Sequence, residues 1–330
     1  VEGVEGHALV KGRVLIGIDV GGTKVLGSAL DRSNPAISLA GHRLDTPDGA
    51  DAIVDAVTEM VRLLQHMLAD AGHPPAVAVG VGMPALVALD GSMRFATHLP
   101  EVADLPMARV LSERLGVPVT LDNDANCAVV AEATIGAAVG RDEVLLVTLG
   151  TGIGGGILTG GRLLRGARGF AGEPGHMMVD RKGVACPCGR RGCWERYASG
   201  SGLGQLGRDA AAEGRAPAVL GRVDTVADIR GEHVVDAASA GDPGALAVMA
   251  EFGWWVAAGL ANLVNVLDPE VIVLGGGLVD AGDLLLEPVR SSYDTLTLGG
   301  VTNGAPPIVP ARLGSGAGAI GAALLADAER

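Results

Sequence analysis

Val14-Leu-Ile-Gly-Ile-Asp19-Val-Gly-Gly-Thr-Lys24 and Val144-Leu-Leu-Val-Thr148-Leu-Gly-Thr-Gly-Ile153 carry one pattern twice: a short apolar run, then a Gly/Thr turn, then a second apolar run. Apolar runs of this length bounded by glycines read as buried strands, and a tight turn between two of them reads as a hairpin. The first copy predicts strands over Val14–Ile18, Val25–Leu30 and Ile37–Leu44. A helix opened by Asp51 follows, with Ile53, Val57, Met60, Leu64 and Met67 along one face. Strand Ala76–Val81, helix Met107–Leu115, strand Val117–Leu121 and a helix from Asp124 to about Ile135 complete the order β-β-β-α-β-α-β-α. The order then restarts with strands Val144–Leu149 and Ile153–Thr159 and an inserted cysteine-rich loop. A helical stretch is expected from about Leu203 to Ala240, then a long helix over Leu246–Leu267, strand Val271–Leu274 and helix Leu278–Tyr293. Strand Ile308–Val309 and a helix from about Gly316 close the second copy. The class is α/β, with an internal duplication.

Composition agrees with a two-domain globular chain of 330 residues. Aromatic residues are only 2% of it, so the cores have to be built from Val, Leu, Ile and Ala. A net charge of −13 argues against a nucleic-acid or acidic-membrane partner and leaves small anionic ligands open, since these need only local donors. The opening Val1-Glu-Gly-Val-Glu-Gly has neither the basic nor the apolar region of a secretory signal, and Ala76–Leu89 is too short and too broken by Gly80, Gly82 and Pro84 to span a membrane. Few cysteines fit a reducing, cytoplasmic location.

Several clusters can carry chemistry. Cys186-Pro-Cys188-Gly-Arg-Arg-Gly-Cys193 lies ten residues after His176, and three thiolates with one imidazole make a tetrahedral zinc set. Disulfides are the alternative from an even cysteine count, but a Cys186–Cys188 bridge would close a very small, strained ring. Glu173 and Glu195 bracket this loop, so a metal would fix both, and each can accept hydrogen bonds from vicinal hydroxyls. The two Gly/Thr turns can cradle phosphate, because glycines let backbone N–H groups approach an anion. Neither has P-loop spacing, and each leads into a strand where a dinucleotide fingerprint needs a helix. Gly275-Gly276-Gly277, between a strand and a helix, can seat a nucleoside or simply turn the chain. In Asp122-Asn123-Asp124-Ala125-Asn126, Asp124 reads either as a base for an attacking hydroxyl or as a helix N-cap. Asp19, at the mouth of the first turn, can help hold Mg²⁺ through water.

Taken in order, these segments resemble the ROK family of sugar kinases and sugar-responsive repressors, together with Glu173-Pro-Gly-His176 and Val273-Leu-Gly-Gly-Gly277. The resemblance covers most of the chain. It implies a two-lobed actin-like, sugar-kinase (ribonuclease H-like) fold and ATP as phosphoryl donor, with Mg²⁺ accompanying the nucleotide. Asp124 would be the catalytic base, and Asn123, Asp124, Glu173, His176 and Glu195 would contact the sugar. Asp19, Gly21, Gly22, Thr23, Lys24, Gly150, Thr151, Gly152 and Gly154 would hold the phosphates, and Gly276 and Gly277 the adenosine. His176, Cys186, Cys188 and Cys193 would bind a structural Zn²⁺. Gly82-Met-Pro-Ala85 and Thr97-His98-Leu99-Pro100 depart from the family pattern (Gly-x-Pro-Gly and Pro-Asn-Leu-Pro) in segments that lie near the sugar, which adds Gly82 and His98 to the substrate set.

The expectation is therefore an ATP-dependent hexokinase acting on the 6-hydroxyl, with glucose as the first choice and mannose, fructose, allose or an N-acetylhexosamine as alternatives. Residues 1–122 with 314–330 are expected to form a small domain, and 123–313 a large one carrying the zinc loop over 173–195. A homodimer or homotetramer is implied by the family. A sugar-sensing repressor is the rival, disfavoured because some thirteen residues precede the first strand, too few for a helix-turn-helix, and because the charge is acidic. An actin-like ATPase is a second rival, disfavoured by the Glu-x-Gly-His segment and the zinc loop.

Overall fold

The computed structural model describes residues 12–96, 104–299 and 304–328. These fall into two compact units. One holds the described residues up to Val139, the segment Arg165–Ala171 and the chain from Ser315 onward; the other holds Gly140–Leu164 and Gly172–Gly314.

The first unit is built on β1 (Val14–Val20), β2 (Lys24–Asp31), β3 (Asn34–Asp45), β4 (Ala78–Met83) and β7 (Val119–Asn123), in the order β3-β2-β1-β4-β7. β1 runs antiparallel to β2 and parallel to β4, and β4 runs parallel to β7. A small hairpin of β5 (Leu86–Val87) and β6 (Met93–Phe95), absent from the expected order, follows β4. The period of two in β1 sorts its side chains. Val14, Ile16, Ile18 and Val20 enter the core shared with helix α1 (Ala50–Asp70), while Leu15 joins Leu30, Ala78, Ala323 and Ala326 on the opposite face. Asp19 has the parity of Leu15 and Gly17 and so belongs to that second face.

Two helices cover the second face: α3 (Asp124–Ile135) and α10 (Ala317–Ala328). Small residues let α10 lie directly on the sheet backbone. A Cβ on Gly17 would sit 1.8 Å from the Ala319 carbonyl oxygen, one on Gly80 1.7 Å from that of Ala322, and one on Gly321 1.7 Å from that of Cys127. Buried Asp327, near the end of α10, pairs with Arg13 at 3.0 Å and with Arg32. This packing corrects two expectations. Helix α3 belongs with the first unit, so the division does not fall at residue 122, because α3 and α10 pack on each other and on the same sheet face. Met67 is 39% exposed, and Leu68 takes the inward position, since the helical repeat carries the stripe from Leu64 to residue 68.

The second unit repeats the topology. Strands β8 (Val144–Leu149), β9 (Ile153–Thr159), β10 (Arg162–Leu163), β11 (Val271–Gly275) and β12 (Ile308–Pro310) form the order β10-β9-β8-β11-β12, with the same alternation of antiparallel and parallel pairs. The duplication read from the sequence is thus a duplication of sheets. Leu145, Val147, Leu149, Ile272 and Leu274 pack into a core with α8 (Pro243–Leu267). That helix is long and apolar enough to cross a membrane, but Val248, Phe252, Val256 and Leu260 are buried in this core. The stretch expected as one helix from Leu203 to Ala240 is broken into α5 (Gly200–Ala212), α6 (Pro217–Leu220), a 3-10 turn over Val226–Asp228, and α7 (Gly231–Ser239). Gly214, at φ +73°, and Pro217 make the first break. The helix expected from Leu278 is a 3-10 turn, Gly277–Ala281, followed by α9 (Asp283–Leu296), with Gly282 at φ +58° between them.

Candidate active site

In the first unit Asp19, Gly82 and Asp122 lie side by side at the carboxyl ends of three parallel strands. This is where open α/β sheets bind ligands. Gly82 packs closely there: a Cβ would crowd Cys127 Sγ at 3.2 Å and touch Asp124 Cα at 3.6 Å. The turn after Asp19 is closed by Gly21 N–H donating to the Lys24 carbonyl at 2.9 Å, and is braced by the Thr46 hydroxyl donating to the Gly21 carbonyl at 2.7 Å. Nothing lies within 4 Å of a Cβ position on Gly22, so that glycine serves no packing and leaves its backbone bare to an incoming group.

The cap of α3 resolves the ambiguity in Asp122-Asn123-Asp124. Asn123 is the N-cap: its Oδ1 accepts from Ala125 N–H at 2.9 Å and Asn126 N–H at 3.2 Å, and its Nδ2 donates to the Ala85 carbonyl at 3.4 Å. Asp124 is relieved of capping and stands in the first turn. Burial raises its pKa, opposed by hydrogen bonds from Ala125 N–H and its own backbone N–H. Burial, together with the Asp124 charge, pushes the Asp19 carboxyl up to about 7 against the pull of Lys24. Burial first, and then the charges of Asp122, Asp19 and Asp124, hold the Cys127 thiol well above its usual range, which keeps it neutral. The sequence reading passed over Asp122 as a functional position, and with it Arg165, whose Nε donates to Asp122 Oδ2 at 2.7 Å. The only sequence signal was the four-residue spacing from Asp122 to Asn126, which bonds it.

In the second unit the Thr151 turn sits among the other expected nucleotide elements. Gly150 N–H donates to the Gly152 carbonyl at 3.0 Å, Gly200 N–H to the Gly150 carbonyl at 2.8 Å, and the Ser201 hydroxyl to the Thr151 carbonyl at 2.8 Å. Gly276, at φ +85°, lies against Leu149, whose carbonyl oxygen would be 2.4 Å from a Cβ there. Thr148 Oγ1 accepts from Gly154 N–H at 3.1 Å and fixes the entry to β9. Around Gly150 and Gly277 the space is open.

The same strand positions Glu173 and His176. Gly155 abuts Pro174, and Gly175 abuts the Ile153 carbonyl, in the single 3-10 turn Pro174–His176. The ligand atoms of His176, Cys186, Cys188 and Cys193 all lie within 4.8 Å of one another. Cys188 and Cys193 Sγ are 3.6 Å apart, and Cys186 Sγ is 3.9 Å from His176 Nδ1. Zinc–sulfur bonds of about 2.3 Å give a tetrahedral edge of about 3.8 Å, so the four residues fit a zinc ion. Gly189 and Gly192, at φ +85° and +66°, turn the loop, and Trp194 anchors it. That ring is fully buried, donates to the Trp255 carbonyl at 2.7 Å and lies over Gly259. Glu195 follows at the start of α4 (Glu195–Ala198), with Oε1 3.7 Å from His176 Nδ1. His98 lies outside the described residues.

Two sheets of one topology, each with a Gly/Thr hairpin turn, and a Cys₃His loop inserted in the second define the mixed α/β fold of sugar kinases. The chain belongs to the ROK family, whose model matches residues 15–329. It is 38% identical over 314 residues to a glucokinase of Streptomyces coelicolor, covering 94% of this chain and 96% of the relative. It is 34% identical over 314 residues to a glucokinase of Halalkalibacterium halodurans, covering 94% and 93%. Among solved structures, the ROK family glucokinase from Streptomyces griseus in complex with glucose and AMPPNP superposes with a TM-score of 0.83 at 38% identity, over 95% of this chain and 99% of that one.

Proposed function

We infer that this chain is an ATP-dependent glucokinase, transferring the γ-phosphoryl group of ATP to the 6-hydroxyl of glucose. The glucokinase relatives, matched over nearly their whole length, support the activity. The observation that carries the mechanism is the cap: because Asn123 satisfies the helix terminus, the Asp124 carboxylate is left for chemistry, and burial raises its affinity for a proton. A base is most effective when its pKa approaches the working pH. Asp124 accepts the proton of the 6-hydroxyl as that oxygen bonds to the γ-phosphorus and the bond to the ADP oxygen breaks.

Asn123, Glu173, His176, Glu195 and Gly82 are assigned to the sugar side, and His98 stays with them as a sequence-based assignment. The turn residues Gly21, Gly22, Thr23 and Lys24, with Gly150, Thr151, Gly152 and Gly154, are assigned to the phosphates; Gly276 and Gly277 are assigned to the adenosine. Asp19 is assigned to hold Mg²⁺ through water, and the ion would neutralise phosphate charge. His176, Cys186, Cys188 and Cys193 would hold Zn²⁺, which would fix the loop that carries His176 and Glu195. The test is a coupled ADP-release assay with Mg-ATP across hexoses and N-acetylhexosamines, with a sugar-free blank. Glucose-dependent turnover is expected; a folded, zinc-loaded sample that turns over no sugar would overturn the assignment.

A further inference from the structure

Asp122 is 5% exposed, yet it carries a carboxylate in a position where the helix cap is already supplied by Asn123. Its Oδ1 accepts from Asn123 N–H and from Asn126 Nδ2, each at 2.8 Å, and its Oδ2 accepts from Arg165 Nε at 2.7 Å. Hydrogen bonds to a carboxylate at this length are strong, most of all the one from the Arg165 guanidinium. Together they clamp the Asp122–Asn123 peptide, one residue before Asp124, and the Asn126 side chain in the first turn of α3.

Arg165 comes from 43 residues further along the chain. It opens the short loop Arg165–Ala171, which belongs to the first unit although the chain on either side of it belongs to the second. The loop closes on itself through Ala171 N–H donating to the Arg165 carbonyl at 3.0 Å. It is seated on β5 through Gly169, at φ +95°, where a Cβ would fall 2.3 Å from the Val87 carbonyl oxygen. With one end on β5 and the other on Asp122, the loop is held at two points, and it rejoins the second unit at Gly172, beside Glu173.

We propose that Arg165 and Asp122 are positioning residues for phosphoryl transfer. Arg165 holds the Asp122 carboxylate, which fixes the Asn123 peptide and the Asn126 side chain, and these set the direction in which Asp124 leaves the first turn of α3. This rests on the reading of Asp124 as the base. Displacing a reacting group by about 1 Å can cost about 100-fold in rate, so the clamp has leverage on turnover without touching substrate.

The experiment is steady-state kinetics and thermal melting of Arg165→Ala and Arg165→Gln, each alone and combined with Asp124→Asn. Arg165→Gln keeps an N–H donor of similar reach without the charge and serves if Arg165→Ala does not fold. In the otherwise unchanged enzyme kcat is expected to fall about 10- to 100-fold with KM for ATP unchanged, and ethylguanidinium added to Arg165→Ala is expected to restore part of it. In the Asp124→Asn background the same substitution is expected to remove no further turnover, because the group it orients is already gone. Unchanged kcat in a folded Arg165 variant, or an equal loss in both backgrounds, would overturn the proposal. Near-normal turnover by Asp124→Asn alone would instead sink the base assignment on which it stands, and that result is read independently of Arg165.

Discussion

Glu195 Oε1 lies 3.3 Å from the sulfur of Cys186. The other oxygen of the same carboxylate lies 2.8 Å from where a Cβ on Gly152 would stand. One side chain therefore touches the Cys₃His cluster and the second Gly/Thr turn.

The first prediction is Gly152→Ala. The new methyl group would meet the far end of a flexible side chain, which can swing aside, so the melting temperature is expected to change little, as for a stability loss of about 1 kcal/mol or less. Function pays instead: Glu195 is displaced, and KM for glucose is expected to rise several-fold. Kinetics alongside a melting curve check both halves. A variant with unchanged glucose KM would mean that Glu195 tolerates the shift or does not contact the sugar.

Asp124→Asn is expected to keep the fold and lose about 100-fold or more in kcat, the scale of a positioned general base. The raised pKa adds a sign to the stability. Burying the charged carboxylate is unfavourable at neutral pH, and the cap belongs to Asn123, so the variant is expected to melt at or above the wild-type temperature. A strongly lowered melting temperature would show Asp124 to be structural.

Asp19 is expected to make the stability of the ligand-free protein depend on pH. Its folded pKa, about 7, lies above the ordinary 3.8. Its contribution to stability is therefore fully present below the unfolded value and is lost as pH rises through about 7. Asp19→Asn is expected to stabilise relative to wild type at pH 8 and to lose that advantage towards pH 5. Paired melting curves at both values, without Mg-ATP, test this; a difference independent of pH would rule it out.

Zinc removal is expected to act through Trp194. The ring is buried next to Cys193, so a chelated protein should show red-shifted tryptophan emission, a lower melting temperature and weaker glucose binding, all restored by zinc. Metal analysis of the untreated protein should find zinc in stoichiometric amount. A verified zinc-free sample that retains stability and glucose affinity would break the link between the loop and the sugar side.

The strands were legible in the sequence because apolar runs closed by glycines have few other meanings. Val144–Leu149, Ile153–Thr159 and helix Met107–Leu115 have the bounds read from the sequence. Where tertiary packing decides, the reading slipped. Met67 and Leu68 are both apolar and adjacent, and only the angle of α1 on its sheet chooses between them. The cluster of His176, Cys186, Cys188 and Cys193 could be found because metal chemistry limits the spacing of candidate ligands. Asp124 could not be separated from a cap, since Asn and Asp compete for that role and the outcome depends on which side chain reaches Ala125 and Asn126. Beyond the spacing of Asp122 to Asn126, nothing local pointed to the pairing with Arg165, because it joins a strand end to a loop far along the chain.

The placement of α10 also sets an order of events during synthesis. Leu15, Leu30 and Ala78 are made before the strands of the second unit, and the helix that covers them after those strands. The second unit can be completed while the first still waits with one sheet face open. The lobe whose strands are made first is therefore completed second, and a chaperone guarding nascent hydrophobic surface would have to stay with it until α10 emerges.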